Sequence, residues 1–145
     1  MTTIRPATEA DLPAILAIYN DAVVNTAAIW NDDIVDLDNR IAWFRTRTGQ
    51  GFPVLVAVEG DRVLGYASYG DFRAFQGYRF TVENSIYVAG DARGKGAGSA
   101  LLAALVDAAR AQGKHMMVAG IEAGNDVSLR LHAKQGFVET ARMPE

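Results

Sequence analysis

The sequence predicts a single α/β domain built around one sheet that mixes antiparallel and parallel strands. The hydrophobic pattern first indicates a strand, two helices and a hairpin, and later alternates between strands and helices, an order typical of a mixed sheet. Half of the 145 residues are hydrophobic, which is enough for a sizeable core. Because no change in composition divides the chain, residues 1–145 are interpreted as one domain.

The chain begins with a short strand and a helix. Residues 3–7, "TIRPA", favour a strand that ends in a turn. Residues 8–23, "TEADLPAILAIYNDAV", predict the helix, because apolar side chains share one helical face: Leu12, Ile15, Leu16 and Tyr19. Pro13 suits the first turn of a helix, which favours Asp11 over Thr8 as the capping residue.

A second helix and a hairpin come next. Residues 36–47, "DLDNRIAWFRTR", place Leu37, Ile41 and Phe44 at helical spacing, and Asp36 can cap this helix. Residues 52–70, "FPVLVAVEGDRVLGYASYG", predict two strands joined by a Glu-Gly-Asp turn.

The second half alternates strands and helices. Residues 78–88, "YRFTVENSIYV", predict a strand whose faces alternate, with Phe80, Val82, Ile86 and Val88 on one side and Thr81, Glu83, Ser85 and Tyr87 on the other. The next helix has an apolar face formed by Leu101, Leu102, Leu105 and Ala109, and it ends at Gly113. We then expect a buried strand at "HMMVAGI", a short helix from Asn125 or Asp126 to Gly136, and a last strand at "FVETA", residues 137–141.

Composition argues against several classes of partner. The net charge of −3, without a basic stripe, disfavours nucleic acid, and no run of 18 apolar residues predicts a membrane span. His115 and His132 lie 17 residues apart without a cysteine, so we expect no metal site. The absence of cysteine fits a cytoplasmic protein.

Trp30 and Trp43 are expected in the core, with a pocket or a dimer surface as the alternative.

The most informative segment is residues 88–110, "VAGDARGKGAGSALLAALVDAAR". It places Gly94, Gly96 and Gly98 with two cations, Arg93 and Lys95, at the start of a helix. The first N–H groups of a helix have no partner within it, and the absence of side chains lets a ligand approach, so the segment favours phosphate binding. Neither the Walker A loop nor the dinucleotide fingerprint fits this spacing, and a simple capping turn is the alternative.

The segment "DARGKGAGSALLAAL" resembles the acyl-CoA pyrophosphate loop of the GNAT superfamily of N-acetyltransferases, with Arg93, Gly96 and Gly98 in matching positions. The similarity extends to "IRPATEADLPAILAIYND", "RVLGYAS" and "GNDVSLRLHAKQGF". Further segments, including "GYASYGDFR" and "YRFTVENSIYV", resemble the phosphinothricin and methionine sulfoximine acetyltransferase branch. The resemblance implies a GNAT-like fold, with a mostly antiparallel sheet that is splayed at the CoA site and flanked by helices.

The resemblance also implies an activity. We expect transfer of the acetyl group of acetyl-CoA to the amino group of a small amino-acid-like substrate such as methionine sulfoximine, methionine sulfone or phosphinothricin. The alternatives are another amine (a different amino acid, a polyamine or a protein N-terminus) and a non-catalytic CoA-binding sensor. The branch further implies a homodimer. Its members continue past "RMP" into another strand, which we expect this domain to lack, leaving an unpaired sheet edge.

The same resemblance identifies the residues expected to bind the cofactor, including a strand segment that pairs with the pantetheine arm beside a bulge. The N–H of Val88 is the expected oxyanion donor. The N–H groups of residues 94–99 can surround the pyrophosphate. The complete expected set is Ile86, Tyr87, Val88, Arg93, Gly94, Lys95, Gly96, Ala97, Gly98, Ser99, Asn125 and Lys134.

Glu83 and His132 are the expected catalytic residues. Glu83 would accept the proton of the substrate ammonium, with an ion pair to Arg73 or Arg79 as the structural alternative. His132 stands where the superfamily commonly has a tyrosine, and it could protonate the departing thiolate or simply pack.

The loop "GDFRAFQGYR" is the expected acceptor-binding segment. Its arginines can bind an anionic group, and its aromatic rings can enclose methylene groups. A folded loop with its own aromatic cluster is the alternative. The expected acceptor residues are Phe72, Arg73, Phe75, Tyr78, Arg79 and Glu83.

Overall fold

The computed structural model describes residues 2–26, 29 and 33–144. The strands are β1 (Thr3–Pro6), β2 (Val54–Glu59), β3 (Arg62–Asp71), β4 (Thr81–Val88) and β5 (Met116–Val118). The helices are α1 (Leu12–Asn25), α2 (Leu37–Gly49), α3 (Ala97–Ala111) and α4 (Asp126–Lys134).

The described strands form one open sheet in the order β1-β2-β3-β4-β5. The first three pairs are antiparallel, and β4 pairs with β5 in parallel. The predicted hairpin is confirmed, with Gly60 at a positive φ of 60° in the turn between β2 and β3. The predicted mixed sheet is therefore correct.

Two apolar layers cover the two faces of the sheet. One face packs against α1, where Leu12, Ile15 and Ile18 meet buried residues of β2 and β3. The other face packs against α3 through Leu101 and Leu105. The alternation predicted for β4 explains this division, since its even-numbered residues face α3 and its odd-numbered residues face α1 and α2.

Two predicted helix caps are confirmed, and the third, Asp11, is confirmed in position only. The carboxylate of Asp36 accepts from the N–H of Asn39 (2.9 Å), and the Asn125 side chain accepts from the N–H of Ser128 (3.2 Å). Asp11 stands directly before α1 but does not cap it with its side chain. Its carboxylate instead reaches back to the N–H of Thr8 (2.8 Å) and pairs with Arg5 (2.7 Å), because a 3₁₀ turn at Glu9–Asp11 precedes the helix.

The inner face of α2 is confirmed in part. Ile41 and Phe44 pack against the core as predicted, but Leu37 is 40% exposed, and the buried residue of this helix is Arg40. The hydrophobic spacing found the helix and two of its inward residues, but not the arginine beside them.

Two expectations for the C-terminal part are wrong. Residues 137–144 form no strand, because their backbone pairs with no strand of the described chain. The strand predicted as buried, β5, is a three-residue edge strand whose Met116 is 51% exposed.

Candidate active site

The sheet opens between β4 and β5. These strands pair only from Thr81 opposite Met116 to Glu83 opposite Val118, whereas β4 continues to Val88. We call the opening beside residues 84–88 the strand gap. It is the expected splay, but its cause differs from the expected bulge, because β3 and β4 stay in regular register up to Val88. The gap arises where β5 ends.

Backbone donors of β4 point into the strand gap. The N–H of Ala89 donates to the carbonyl of Leu64 on β3 (2.8 Å). Because N–H groups alternate in direction along a strand, those of Val88 and Ile86 point away from β3, toward the gap. The side chains of both residues pack against the α3 layer, so these N–H groups are held by a rigid element.

The carboxylate of Glu83 lies where the pairing with β5 stops. Its Oε2 is 3.4 Å from the position that a β-carbon would take on Gly120, just after β5. No ion pair links Glu83 to any residue that the structure describes. This position allows contact with a ligand that enters the strand gap.

The expected alternative, an ion pair of Glu83 with a loop arginine, is not found. Arg73 donates to the carbonyl of Phe72 (2.8 Å) and lies over its ring, and Arg79 donates to the carbonyl of Gln76 (3.1 Å). Phe72 and Tyr78 pack edge to face, with ring centroids 5.9 Å apart.

Residues 72–79, which we call the aromatic loop, thus have an internal cluster, as the structural alternative expected. Phe75 at its tip is 75% exposed. The loop begins after Asp71, which pairs with Val82, so it emerges at the Glu83 end of β4.

His132 is buried between α4 and β4, with 5% of its surface exposed. Its Nδ1 lies 2.8 Å from the carbonyl of Ser128 and therefore donates, while its Nε2 accepts from the amide of Asn84 (3.3 Å). Burial lowers the pKa of His132, in agreement with this neutral tautomer. Since neither ring nitrogen has a proton free for a leaving group, the geometry favours packing over the expected acid role.

Residues 93–99, the glycine loop, have the conformation that glycine permits. Gly94 and Gly96 have φ angles of 82° and 80°, and a β-carbon on either would meet no atom within 4 Å. The N–H of Ala100 donates to the carbonyl of Gly96, so the N–H groups of residues 97–99 precede the first bond of α3. Together with exposed Arg93 and Lys95, this end of the helix fits a phosphate group.

The third glycine has another role. A β-carbon on Gly98 would lie 2.8 Å from Cδ1 of Leu131, so its absence lets α4 pack against the start of α3. Gln135 strengthens this contact by donating to the carbonyl of Ser99 (2.8 Å). Asn125 caps α4, and Lys134 is exposed near the end of that helix.

A pocket of about 210 Å³ lies between α1, α2 and the sheet. We call it the arginine pocket. Arg40 and Arg47 extend into it from α2, and its remaining lining is Tyr19, Trp43, Tyr66, Ser68, Ser85 and Tyr87. Burial raises the pKa of Tyr66 and of Tyr87, so the charge of the pocket comes from its arginines.

The sequence did not predict the two arginines of this pocket, although a pocket was the alternative given for Trp43. Arg40, Trp43 and Arg47 are three and four residues apart and therefore share one helical face, which was the available signal. The side chain of Tyr87, whose place beside the cofactor stays a prediction, lines the arginine pocket, and Trp43 lines it as well. None of the aromatic-loop residues lines the pocket. Trp30 lies outside the described residues.

Within the described ranges, no group of three His, Cys, Asp or Glu side chains could hold a metal ion. No helix in those ranges is both long and apolar enough to cross a bilayer.

The sequence is similar to known acetyltransferases. The pattern of the acetyltransferase (GNAT) family matches residues 14–137. The chain is 60% identical over 144 residues to an L-methionine sulfoximine/L-methionine sulfone acetyltransferase of Pseudomonas aeruginosa, covering 99% of this chain and 84% of that protein. It is 59% identical to an L-amino acid N-acyltransferase of Escherichia coli, and the match covers 99% of this chain and 83% of that protein.

Solved structures have the same fold. An acetyltransferase of Salmonella typhimurium, solved with acetyl-CoA, has a TM-score of 0.97 at 57% identity and covers 99% of this chain and 83% of that one. A ribosomal-protein-alanine N-acetyltransferase from Brucella melitensis has a TM-score of 0.94 at 58% identity and covers 96% and 86%.

Proposed function

The chain belongs to the GNAT acetyltransferase family, and we propose that it transfers the acetyl group of acetyl-CoA to the α-amino group of a small L-amino acid of the methionine sulfone and methionine sulfoximine class. The observation that carries this proposal is the carboxylate of Glu83 at the mouth of the strand gap, without an ion-pair partner in the described chain. The 60% identity to a methionine sulfoximine/sulfone acetyltransferase supports the substrate class.

The glycine loop fits the donor molecule. Its N–H groups and its cations, Arg93 and Lys95, would hold the pyrophosphate, and the open space at Gly94 and Gly96 leaves room for it. Lys134, which precedes the Gln135 that contacts Ser99, and Asn125, at the other end of α4, remain proposed contacts. When bound, acetyl-CoA supplies a thioester whose acyl group is activated and whose thiol can leave.

Two N–H groups of β4 are candidates for the oxyanion donor. Val88 lies five residues from Glu83, roughly 17 Å along an extended strand, whereas Ile86 lies roughly 10 Å away. The N–H of Val88 stays the proposed oxyanion donor, and the N–H of Ile86, which points into the same gap nearer to Glu83, is the alternative.

Proton transfer would use Glu83. Its carboxylate accepts the proton of the substrate ammonium, directly or through water, which leaves the amine free to attack. His132 would hold α4 against β4 through Ser128 and Asn84 rather than supply a proton. The aromatic loop, which emerges at the Glu83 end of β4, would contact the far end of the acceptor side chain.

The test follows thiol release with acetyl-CoA and a panel of acceptors: methionine sulfone, methionine sulfoximine, phosphinothricin, spermidine and an alanine-starting peptide. We expect the sulfone or the sulfoximine to exceed spermidine at least tenfold in kcat/KM. A tenfold preference for the polyamine would contradict the substrate class. A Tm increase with acetyl-CoA but no turnover of any amine would indicate the non-catalytic sensor.

A second candidate is acetylation of a protein N-terminus. It is favoured by the name of the Brucella melitensis structure, a ribosomal-protein-alanine N-acetyltransferase that is 58% identical. Preferred turnover of the alanine-starting peptide would support it.

Assembly and location complete the proposal. We propose a homodimer, because apolar side chains are exposed in the β3–β4 loop and beside the starts of β4 and β5: Phe75, Tyr78, Phe80 and Met116. A cytoplasmic location is proposed because the donor is acetyl-CoA. Light scattering of the purified protein measures its oligomeric state, and fractionation of cells measures its location.

A further inference from the structure

The arginine pocket contains two cationic side chains that are both withdrawn from solvent. Only 8% of Arg40 is exposed, although arginine is rarely so buried without an anion. Arg47 is half-buried two turns further along α2. Its pKa is lowered mainly by burial and secondly by the nearby charge of Arg40. Two neighbouring desolvated cations oppose each other, so the pocket favours the binding of an anion.

Neutral groups of the described chain contact both guanidinium groups. Arg40 stacks over the rings of Tyr19 (4.2 Å) and Trp43 (4.8 Å) and donates to the amide oxygen of Asn39 (2.9 Å). Nη1 of Arg47 lies 3.4 Å from Oγ of Ser68. No carboxylate that the structure describes lies within 4 Å of either arginine.

The pocket is continuous with the proposed catalytic base. Its floor is formed by cross-strand pairs on one face of the sheet, Tyr66 opposite Tyr87 and Ser68 opposite Ser85. The next pair on this face is Gly70 opposite Glu83, roughly 7 Å along the strand.

Arg47 extends toward that next pair. Its Nη1 lies 2.8 Å from the position of a β-carbon on Gly70, so the missing side chain makes room for the guanidinium. An anion bound by Arg47 would therefore lie beside Glu83.

We propose that Arg40 and Arg47 form the subsite for the α-carboxylate of the acceptor amino acid. The α-carboxylate and the α-amine of an amino acid are attached to one carbon, so binding the first beside Gly70 directs the second toward Glu83 and the strand gap. This inference rests on the proposed function. It makes a free α-carboxylate the specificity requirement, and it disfavours polyamines and protein N-termini, whose first residue has an amide at that place.

The test compares methionine sulfone with methionine sulfone amide, which has a neutral carboxamide in place of the carboxylate. For the unaltered protein we expect the amide to lower kcat/KM about 10- to 100-fold, the range for hydrogen bonds to a charged group. In Arg47→Gln, the KM for methionine sulfone should increase by a similar factor while the KM for acetyl-CoA is unchanged. The two acceptors should then differ less than threefold.

Matched variants complete the design. Arg45→Gln changes an exposed arginine of the same helix, paired with Glu9, and should keep the full discrimination. Arg73→Gln tests whether the aromatic loop binds the carboxylate instead. Gly70→Ala keeps both charges but displaces the Arg47 guanidinium, so it should also increase the KM for methionine sulfone even if Arg47→Gln folds poorly.

The outcomes separate the two proposals. If the unaltered protein acetylates methionine sulfone but Arg47→Gln and Gly70→Ala retain its discrimination, the subsite assignment is wrong and the proposed function stands. Loss of discrimination in Arg73→Gln alone assigns the carboxylate to the aromatic loop and also overturns the subsite. If no free amino acid is acetylated, the proposed function fails first.

Discussion

Glu83 is the residue on which the proposed chemistry depends most directly. Glu83→Gln keeps the shape of the side chain but removes its capacity to accept a proton. A positioned base typically contributes about 10²- to 10⁴-fold in rate, so we expect kcat to decrease by that factor. The KM for acetyl-CoA should remain within twofold, because the glycine loop is unchanged. Steady-state kinetics from pH 6 to 9 measures both values.

The control for this substitution is Glu59→Gln, an exposed carboxylate at the end of β2, which should leave kcat unchanged. Near-normal kcat in Glu83→Gln would exclude Glu83 as the base.

The attachment of α2 to α1 is the element-scale feature that positions the arginine pocket. The Asn20 side chain on α1 donates to the carbonyl of Val35 and accepts from its N–H, both at 2.9 Å, just before α2 begins. Asn20→Ala leaves both backbone groups without this partner, which should reduce the free energy of unfolding by about 1–3 kcal/mol. Because α2 carries Arg40 and Arg47, the KM for the acceptor should increase as well.

Urea denaturation and acceptor kinetics measure these two effects. Asn25→Ala is the matched control, since Asn25 is an exposed residue of the same helix whose side chain contacts only Asp21 among the described hydrogen bonds. Its free energy of unfolding should change by less than about 0.5 kcal/mol. Equal losses of unfolding free energy in the two variants would show that the hydrogen bonds of Asn20 do not specifically attach α2 to α1.

The stability of the whole molecule should depend on pH through His132. Burial lowers its pKa in the folded protein, so between the folded and unfolded values the unfolded chain binds more protons. The contribution of His132 to the free energy of unfolding is fully present above about pH 6.5, the ordinary pKa of histidine, and decreases as the pH falls below that value. The slope for one proton is at most about 1.4 kcal/mol per pH unit.

Urea denaturation between pH 8 and pH 5 measures this dependence. In His132→Gln the slope near pH 6 should largely disappear, and His115→Gln serves as the histidine control. A second decrease is expected below about pH 4, because the hydrogen bond from Arg5 lowers the pKa of Asp11. A slope near pH 6 that persists in His132→Gln would contradict the assignment to His132.

The sequence by itself determined which elements form and in what order. Periodicity found all four helices and β1–β5, and cap chemistry identified Asp36 and Asn125, because these signals are local to a few residues. The glycine loop was recognisable for the same reason, since its spacing and positive φ angles are encoded in one short segment. The predicted strand at 137–141 failed because a strand also needs a partner, which local pattern does not supply.

The tertiary structure decided which faces and edges meet. Docking of α2 rotated Arg40 and Arg47 inward, and the early end of β5 exposed the backbone of β4 beside Glu83. The third glycine, Gly98, proved to be a packing residue because Leu131 of a later helix crosses it. Each of these features depends on contacts between segments far apart in sequence, where relative orientation is set by packing of the whole core and not by the residues of one element.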